Sequence, residues 1–270
     1  MLSAHYETVA TAFQVVDIAT PLRARVSPDD TVLDAVVEIN ANAESSDDEF
    51  CLIRDEHKIY GYIAIDFIFD EAAEKLDGPS NGRAGDYCTP ITADQIVAGS
   101  LPLLDLIPLF RQRHFFCVLT RNDITHLVSF SDLDKLPVKL CLFALITALE
   151  SELIGVFTDP GRNTRDYLRH LSVDRIQKAR HLCKVKYSQR PERRNLNQPD
   201  GYNDQQILLC TTFSDKVTIL LNSPHPPFAN IPDLKPFFDR AHDLRNRIAH
   251  SDSILSVLKT PLEFDQFTRA

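Results

Sequence analysis

The sequence predicts a protein of two domains, an α+β domain over residues 1–136 and an all-α, four-helix-bundle-like domain over residues 137–270. Three observations lead to this division. The first half contains a helix followed by two strands twice in succession, whereas the second half shows helical periodicity. The charge changes as well: residues 1–136 carry 10 Lys and Arg against 23 Asp and Glu, whereas residues 137–270 carry 19 against 15.

The composition is that of a globular protein, with 44% hydrophobic and 25% charged residues. The longest strongly apolar run covers residues 140–149, which is about half of what a membrane-spanning helix requires. The first residues lack a basic stretch followed by an apolar core, so they do not resemble a secretory signal. We therefore predict a cytoplasmic protein with no membrane contact.

Cysteine and histidine spacing argues against a metal centre. The six cysteines include no CxxC pair, and most of them lie in apolar surroundings, which favours buried free thiols. The nine histidines form no cluster with zinc-ligand spacing, and no GxxxxGK[ST] phosphate loop is present. We predict no metal site and no required cofactor.

The repeat in the first half consists of an apolar helix and a hairpin. The first copy reads "ARVSPDDTVLDAVVEINA" and then "FCLIRDEHKIYGYIAIDFI", with Asp29 and Asp30 as candidate caps of the helix. The second copy reads "QIVAGSLPLLDLIPLFRQR" and then "FFCVLTRNDITHLVSFSDL". In both copies two apolar strands flank a charged turn, and the hairpins begin 65 residues apart, at Phe50 and Phe115.

This pattern, over residues 17–136, resembles a pair of CBS domains, small modules that often bind adenine nucleotides in the cleft between two copies. The resemblance is strongest at "THLVSFSDL", where Ser129 precedes Asp132 by three positions at the end of the second hairpin. It implies that Asp132 binds a ribose and that Ser129 or Ser131 contacts phosphate. A helix terminus offers backbone donors to such an anion.

The first copy departs from the family pattern. It keeps Gly61 and Asp66, but Ile63 stands where the family has a hydroxyl. We therefore expect at most one good site for an adenine nucleotide, with Asp66 as a weaker candidate. The alternative is that Asp132 only caps the following helix and that the pair is a dimerising scaffold.

Apolar periodicity predicts four long helical segments in the second half. The first begins at Pro137, a residue typical of a first helical turn, and the second begins near Asn163 and reads as one helix or two. Proline-rich and polar stretches separate the later segments. The segments span residues 137–157, 163–187, 205–221 and 233–255.

The last of these segments contains "RNRIAH", which fits the R-x4-H motif of HEPN domains. These domains are helical bundles that frequently act as metal-independent ribonucleases and dimerise. The matching residues are Arg245, Asn246 and His250, and "LITALESEL" resembles the helical opening of the family with its glutamate. The resemblance implies an RNA-cleaving site.

The chemistry of these side chains suits phosphodiester cleavage. His250 would exchange a proton with a ribose hydroxyl or with the leaving oxygen near neutral pH, and Arg245 would stabilise charge on phosphorus. Asn246 lies four residues from His250 and shares its helix face. Arg245 lies five residues from His250 and points about 140° away, and the family resemblance implies a composite site in a homodimer. The alternative is that these cations only pair with neighbouring aspartates.

A basic stretch lies in the second half of the chain, before the predicted site. Residues 162–194 hold 11 Lys and Arg against 3 Asp and Glu, a density that favours a polyanionic partner over a merely solvated face. We predict RNA as this partner, with phosphate contacts at Arg190, Arg193, Arg194 and Arg247.

Three functions remain open on this evidence. The first is an endoribonuclease of HEPN type that is regulated by a nucleotide, for which the family suggests a toxin or phage-defence role. The second is a non-catalytic nucleotide-sensing adaptor that dimerises through its helical domain. The third is a nucleotide sensor whose helical half only dimerises.

Overall fold

The chain folds into two compact units. The structure, a computed structural model, describes residues 8–9, 11–42, 50–56, 58–64, 82–159, 163–187, 202–223 and 234–269. Residues 10–139 and 258–270 group into one unit, here called the α/β unit, and residues 1–9 and 140–257 into the helical unit. This grouping differs from the predicted one chiefly at the end of the chain, where residues 258–270 belong to the α/β unit.

The α/β unit contains two sheets built from seven strands among its described residues. One sheet has the order β1-β7-β6-β5 and the other the order β2-β3-β4. The strands are β1 (Thr20–Pro21), β2 (Arg25–Val26), β3 (Phe50–Arg54), β4 (Ile59–Ala64), β5 (Ile96–Ala98), β6 (Phe115–Thr120) and β7 (Asp123–Ser129).

Each predicted hairpin is present as an antiparallel pair. Strand β3 pairs with β4, strand β6 pairs with β7, and each hairpin receives one parallel strand, β2 or β5. Arg121, in the turn between β6 and β7, has a φ of 59°, the left-handed conformation that tight hairpin turns require. Strand β1 pairs with β7, so a segment that precedes the first repeat completes the sheet of the second.

The two hairpins contact each other through aromatic rings and one ion pair. The ring centroid of Phe115 lies 4.7 Å from that of Phe50 and 5.2 Å from that of Tyr62. Such tilted pairs add to the free energy that burial alone provides. Both oxygens of Asp123 accept hydrogen bonds from Nη1 of Arg54, at 2.9 and 2.8 Å. These contacts hold the repeats together as one unit.

Short helices cover the sheets of the α/β unit. Val32, Ala35 and Ile39 are buried on the first helix, whereas Leu33 and Val37, which the apolar pattern also favours for the buried face, are 51% and 56% exposed. A 3₁₀ turn at Ile107–Arg111 extends the third helix, and another at Phe130–Asp134 follows β7. The helices are α1 (Val32–Asn42), α2 (Ala84–Tyr87) and α3 (Leu103–Leu106).

The C-terminal helix of the α/β unit is an element that the sequence did not predict. It packs against the 3₁₀ turn at Ile107–Arg111, buries Phe264 completely, and brings Asp265 Oδ2 to 3.7 Å from Arg111 Nη1. Its first turn is capped by Glu263, whose Oε2 accepts from the backbone nitrogens of Lys259 and Thr260. This helix, numbered last in the chain, is α10 (Pro261–Arg269).

The helical unit contains six helices among its described residues. Four of them have ten residues or more, as the sequence predicted, although two of the predicted segments are divided. The division between the two units falls within the first helix, after Lys139. The helices are α4 (Leu136–Phe157), α5 (Thr164–Leu168), α6 (Val173–Tyr187), α7 (Asp204–Leu209), α8 (Phe213–Asn222) and α9 (Leu234–Ala249).

The predicted single helix over residues 205–221 is wrong, because local capping divides it. Thr212 Oγ1 accepts from the backbone nitrogen of Asp215, and Asp215 Oδ2 accepts from that of Thr212, at 3.2 and 3.0 Å. This reciprocal pair caps the start of α8. The apolar run therefore forms two helices instead of one. The predicted last segment also ends early, at Ala249, because Ser251 adopts the left-handed conformation with a φ of 61°.

Helix α4 is longer and more apolar than the ten-residue run suggested. It has 22 residues. An 18-residue stretch of this helix has a mean hydropathy of 1.9, and 28% of that stretch is buried. Within the described part of the chain it is the one helix that is long and apolar enough to cross a membrane, by length and composition alone. A core helix of a soluble protein passes the same test, so the expectation of no membrane contact stays a prediction.

Replacement of Phe264 by alanine tests the place of α10 in the α/β unit. We expect Phe264→Ala to lower the free energy of unfolding of this unit by about 3–5 kcal/mol, because the ring is completely buried. Leu262→Ala, on the same helix but 44% exposed, is the matched control and should change it by less than about 1 kcal/mol. Urea titration followed by hydrogen exchange at residues 103–134 measures both. Equal effects would contradict the assignment of α10 to this unit.

Candidate functional site

Helix α9 carries the three residues of the R-x4-H motif. It buries Phe238, Ala241 and Leu244 on one face, and its other positions are partly or fully exposed. Arg245 follows the last of these buried residues, and its side chain is 39% exposed. His250 lies one residue past the end of the helix and is exposed, with its backbone nitrogen bonded to the carbonyl oxygen of Asn246. The motif is therefore accessible at the C-terminal end of α9.

Arg245 is held by a glutamate of another helix. Its Nη2 lies 3.8 Å from Oε2 of Glu150 on α4, and Oε1 of the same carboxylate accepts a hydrogen bond from Lys216 Nζ at 3.0 Å. One carboxylate thus bridges a half-exposed guanidinium and a buried ammonium. The arrangement places the guanidinium of Arg245 beside a carboxylate and leaves part of it accessible to an anion.

Lys216 is the buried cation of this group. Its side chain is 2% exposed, and Nζ also donates to the carbonyl oxygen of Thr211 at 2.5 Å. An ammonium that is removed from water needs such partners, because an unpaired buried charge is strongly destabilising. Neither Lys216 nor its role was predicted. The sequence pattern that could have revealed it is a lysine that directly precedes the apolar stretch "VTILL" on α8. Such a pattern indicates a buried, paired cation.

Asn246 contacts a histidine outside the motif. Its Nδ2 lies 3.2 Å from Nε2 of His242, one turn earlier on α9, whereas the sequence predicted that Asn246 orients His250. The His242 ring stacks on Phe213, with centroids 6.4 Å apart and planes 8° apart. In the described part of the structure Nδ1 of His242 is buried without a hydrogen-bond partner. His242 is thus a second imidazole near the motif, held by packing.

The predicted RNA-binding arginines fall into two groups. Arg247 is half-buried on α9, with its Nε 3.6 Å from Oδ1 of Asp243. Arg190, Arg193 and Arg194 lie outside the described residues. The described part of the basic stretch is α5 and α6, and on α6 the side chains of Lys178, Lys184 and Lys186 are exposed. A cationic helix surface therefore precedes the undescribed arginines in the chain.

The candidate nucleotide-binding residues lie together where β7 ends. Ser129 is the last residue of β7 and Asp132 lies in the 3₁₀ turn that follows. The backbone nitrogen of Ser129 donates to Asp132 Oδ2 at 2.6 Å, and the hydroxyls of Ser129 and Ser131 are 2.7 Å apart. Ser129 and Asp132 form a capping box, and the Ser131 hydroxyl lies beside it. Asp66, the candidate in the first repeat, lies outside the described residues.

The second oxygen of Asp132 is also engaged. Oδ1 lies 2.7 Å from Lys135 Nζ and accepts from Thr20 Oγ1 at 3.3 Å. Because β1 joins the sheet of the second repeat, Thr20 reaches this carboxylate from 112 residues away in the chain. Asp132 is 7% exposed. A ribose hydroxyl that binds this carboxylate would replace the hydrogen bond from Thr20 or the ion pair with Lys135.

Two cavities of the α/β unit differ in size. A cavity of about 20 Å³ beside Thr20 and Leu127 has room for a single water molecule. A second cavity of about 400 Å³ is open to solvent against the start of α10, and its volume lies in the range of ligand sites. Aromatic and cationic side chains line it: Phe110, Arg111, His114, Phe130 and Lys259.

Two further kinds of site, metal centres and reactive thiols, were considered among the described residues. Within the described ranges no group of three or more His, Cys, Asp or Glu side chains is placed to hold a metal ion. Burial raises the pKa of the thiols of Cys117 and Cys141 to about 11, so both are protonated at neutral pH.

No family model matches the chain, and no curated protein matches it.

Three solved structures are similar to parts or most of the chain. The CBS domain of a bacterial CNNM/CorC-family Mg²⁺ transporter in complex with ATP has 16% identity and a TM-score of 0.38, over 51% of this chain and 94% of that one. Another structure of a CBS domain from this transporter family has 17% identity and a TM-score of 0.38, over 50% and 81%. Protein MJ1004 from Methanocaldococcus jannaschii has 13% identity and a TM-score of 0.42, over 95% and 99%. These TM-scores are too low to decide the fold or the function.

Removal of Glu150 tests the bridge between Lys216 and Arg245. We expect Glu150→Ala to lower the free energy of unfolding by about 3 kcal/mol, because it leaves the buried ammonium without a counter-charge. Glu152→Ala removes a charge from the same helix and should cost at most about 1 kcal/mol. Lys216→Met combined with Glu150→Leu should recover most of the loss, since an apolar pair of similar volume replaces the ion pair. Chemical denaturation measures all four proteins, and equal losses for Glu150→Ala and Glu152→Ala would contradict this role.

Proposed function

We propose that the helical unit is a metal-independent endoribonuclease of HEPN type and that an adenine nucleotide bound to the α/β unit regulates it. The observation that supports this most directly is the end of α9, where an exposed His250 follows a half-exposed Arg245 that Glu150 holds in place. A proton-transfer group and a fixed cation are the two groups that metal-free phosphodiester cleavage needs. The R-x4-H resemblance is consistent with this chemistry.

The proposed reaction is an internal displacement on phosphorus. His250 accepts the proton of a ribose 2′-hydroxyl, whose oxygen attacks the adjacent phosphorus. The bond to the 5′-oxygen breaks, and this leaving oxygen takes up a proton from water or from the protonated imidazole. Arg245 donates to the non-bridging oxygens, where negative charge increases in the transition state. The products are a 2′,3′-cyclic phosphate and a 5′-hydroxyl. Five residues separate Arg245 from His250, which corresponds to about 140° around a helix axis, so a second copy of the chain is proposed to complete the site in a homodimer.

We assign RNA binding to the cationic residues that precede the motif. Lys178, Lys184 and Lys186 are exposed on α6, and Arg190, Arg193 and Arg194 follow that helix in the sequence. Arg247, in the last turn of α9, is proposed as a further phosphate contact. A row of cations of this kind binds the RNA backbone without reading its sequence.

We assign the regulatory site to Ser129, Ser131 and Asp132, with Asp66 as the corresponding residue of the first repeat. The capping box at the end of β7 presents hydroxyls beside a short helical turn, an arrangement that suits phosphate and ribose. The larger cavity beside α10 is the second place in the α/β unit where an anionic ligand would fit, since Arg111 and Lys259 line it.

A second candidate function is a non-catalytic nucleotide-sensing adaptor that dimerises through its helical unit. The observation that favours it is the apolar surface on α4, where Leu140 is 46% exposed and Phe143 is 39% exposed. Exposed apolar residues on one helix face are typical of a surface that binds another protein chain. In this case Arg245 and His250 would be surface residues without a catalytic role.

Substitutions in the motif distinguish the two functions. We expect His250→Ala and Arg245→Ala each to lower RNA cleavage at least 100-fold, since one loses the proton-transfer group and the other the charge on phosphorus. His181→Ala removes an exposed histidine of α6 and serves as the matched control. Cleavage of total and transfer RNA is followed on gels, with circular dichroism to verify folding. Parent-like activity in both motif variants would exclude a ribonuclease that uses these residues. Cleavage should persist in chelator and leave a cyclic phosphate.

Calorimetry tests the regulatory half of the proposal and locates the site. We expect an adenine nucleotide to bind the parent protein and Asp132→Asn to weaken that binding at least 10-fold, because an amide offers the ribose hydroxyls one acceptor oxygen and no charge, whereas the carboxylate offers two oxygens and a negative charge. Arg111→Ala, in the larger cavity, is the comparison. If Arg111→Ala weakens nucleotide binding and Asp132→Asn does not, the nucleotide binds in that cavity instead. The absence of binding of AMP, ADP and ATP by the parent would favour a scaffold role for the α/β unit.

A further inference from the structure

His242, a residue outside the R-x4-H motif, lies beside Arg245 where α9 meets α8. The His242 ring stacks on Phe213 of α8, with centroids 6.4 Å apart and planes 8° apart. Arg245 is connected to the same helix through Glu150, which binds Lys216 of α8. Phe213 and Lys216 are three residues apart on α8, as His242 and Arg245 are on α9. Side chains at this spacing are neighbours on a helix surface, so the imidazole and the guanidinium lie side by side.

The helix geometry also distinguishes His242 from His250. Three residues separate His242 from Arg245, which corresponds to about 60° around the helix axis, against about 140° for the five residues to His250. His242 is half-buried, and the side chain of Arg245 is 39% exposed. His242 is therefore the imidazole that a phosphate bound to Arg245 meets within one chain.

The two ring nitrogens of His242 have different surroundings. Within the part of the chain that the structure describes, Nδ1 is buried and has no hydrogen-bond partner. Nε2 lies 3.2 Å from the side-chain nitrogen of Asn246, an exposed residue. A buried N–H without an acceptor is costly, so the neutral ring carries its proton on Nε2, where a half-turn of the Asn246 amide brings an oxygen to it. His242 thus directs an N–H donor towards the exposed side of α9.

We propose that His242 is a second hydrogen-bond donor to the RNA phosphate that Arg245 binds. The proposal rests on the ribonuclease function proposed above and adds a residue to that site. Nε2–H of His242 donates to a non-bridging oxygen of the scissile phosphate in place of Asn246, and it keeps its proton throughout. Negative charge increases on this oxygen in the transition state, so the donor lowers the barrier more than it strengthens substrate binding. His250 remains the group that accepts the proton of the 2′-hydroxyl.

Three substitutions of His242 test whether this N–H acts on the reaction. We expect His242→Phe, which keeps an aromatic ring against Phe213, and His242→Asn, whose amide is too short, to lower kcat about 100-fold, the effect of removing one such donor. KM should change little. His242→Gln brings an amide N–H near the position of Nε2 and should keep kcat within about 10-fold of the parent value. Steady-state cleavage of a defined RNA oligonucleotide gives kcat and KM, and circular dichroism verifies folding.

Sulfur substitution in the RNA identifies the atom that His242 contacts. Each non-bridging oxygen of one phosphate is replaced by sulfur in turn, and the two diastereomers are cleaved separately. Sulfur is a weaker hydrogen-bond acceptor than oxygen, so the diastereomer whose sulfur faces His242 should react more slowly with the parent protein. In His242→Phe this difference should shrink, because the donor is absent. A residue that only supports the fold would slow the oxygen and sulfur substrates by the same factor.

The outcomes separate this proposal from the ribonuclease function on which it rests. Parent-like kcat in His242→Phe and His242→Asn overturns the role of His242, and if His250→Ala is inactive in the same assay the ribonuclease function stands. Equal losses in the Gln and Asn variants, with an unchanged effect of sulfur, also overturn it. Parent-like cleavage by both His250→Ala and Arg245→Ala, or a parent that cleaves no RNA, overturns the ribonuclease function and the role of His242 together.

Discussion

The buried ammonium of Lys216 is the constraint on which the helical unit depends. A lysine side chain that is 2% exposed requires a counter-charge and hydrogen-bond acceptors, and these come from Glu150 on α4 and from the carbonyl oxygen of Thr211. Because Glu150 also approaches Arg245, three helices meet at one carboxylate. The geometry of the proposed catalytic arginine is therefore a consequence of how the unit neutralises a buried cation.

The α/β unit depends on a different constraint. The sheet of the second repeat is completed by β1, a strand that precedes the first repeat in the chain. Strand β1 pairs with β7, and Thr20 thereby reaches Asp132. The aromatic contacts among Phe50, Tyr62 and Phe115 then join the hairpins. The resulting carboxylate is satisfied by its own chain. A nucleotide at this position would have to bind more strongly than the internal contacts that it replaces.

The sequence determined the local elements, because apolar periodicity and turn residues act over a few positions. It predicted both hairpins, the helix of the first repeat and four long helical segments in the second half, and it located Ser129 beside Asp132. It missed the division at Thr212, where a capping box outweighs an apolar run. Only the tertiary structure decided the pairings that join distant parts of the chain. A two-residue strand such as β1 carries no periodic signal, and α10 is a short helix whose partner lies far back in the α/β unit. Nor does anything local to Lys216 or Glu150 indicate its partner, because their contact exists only after the helices have packed.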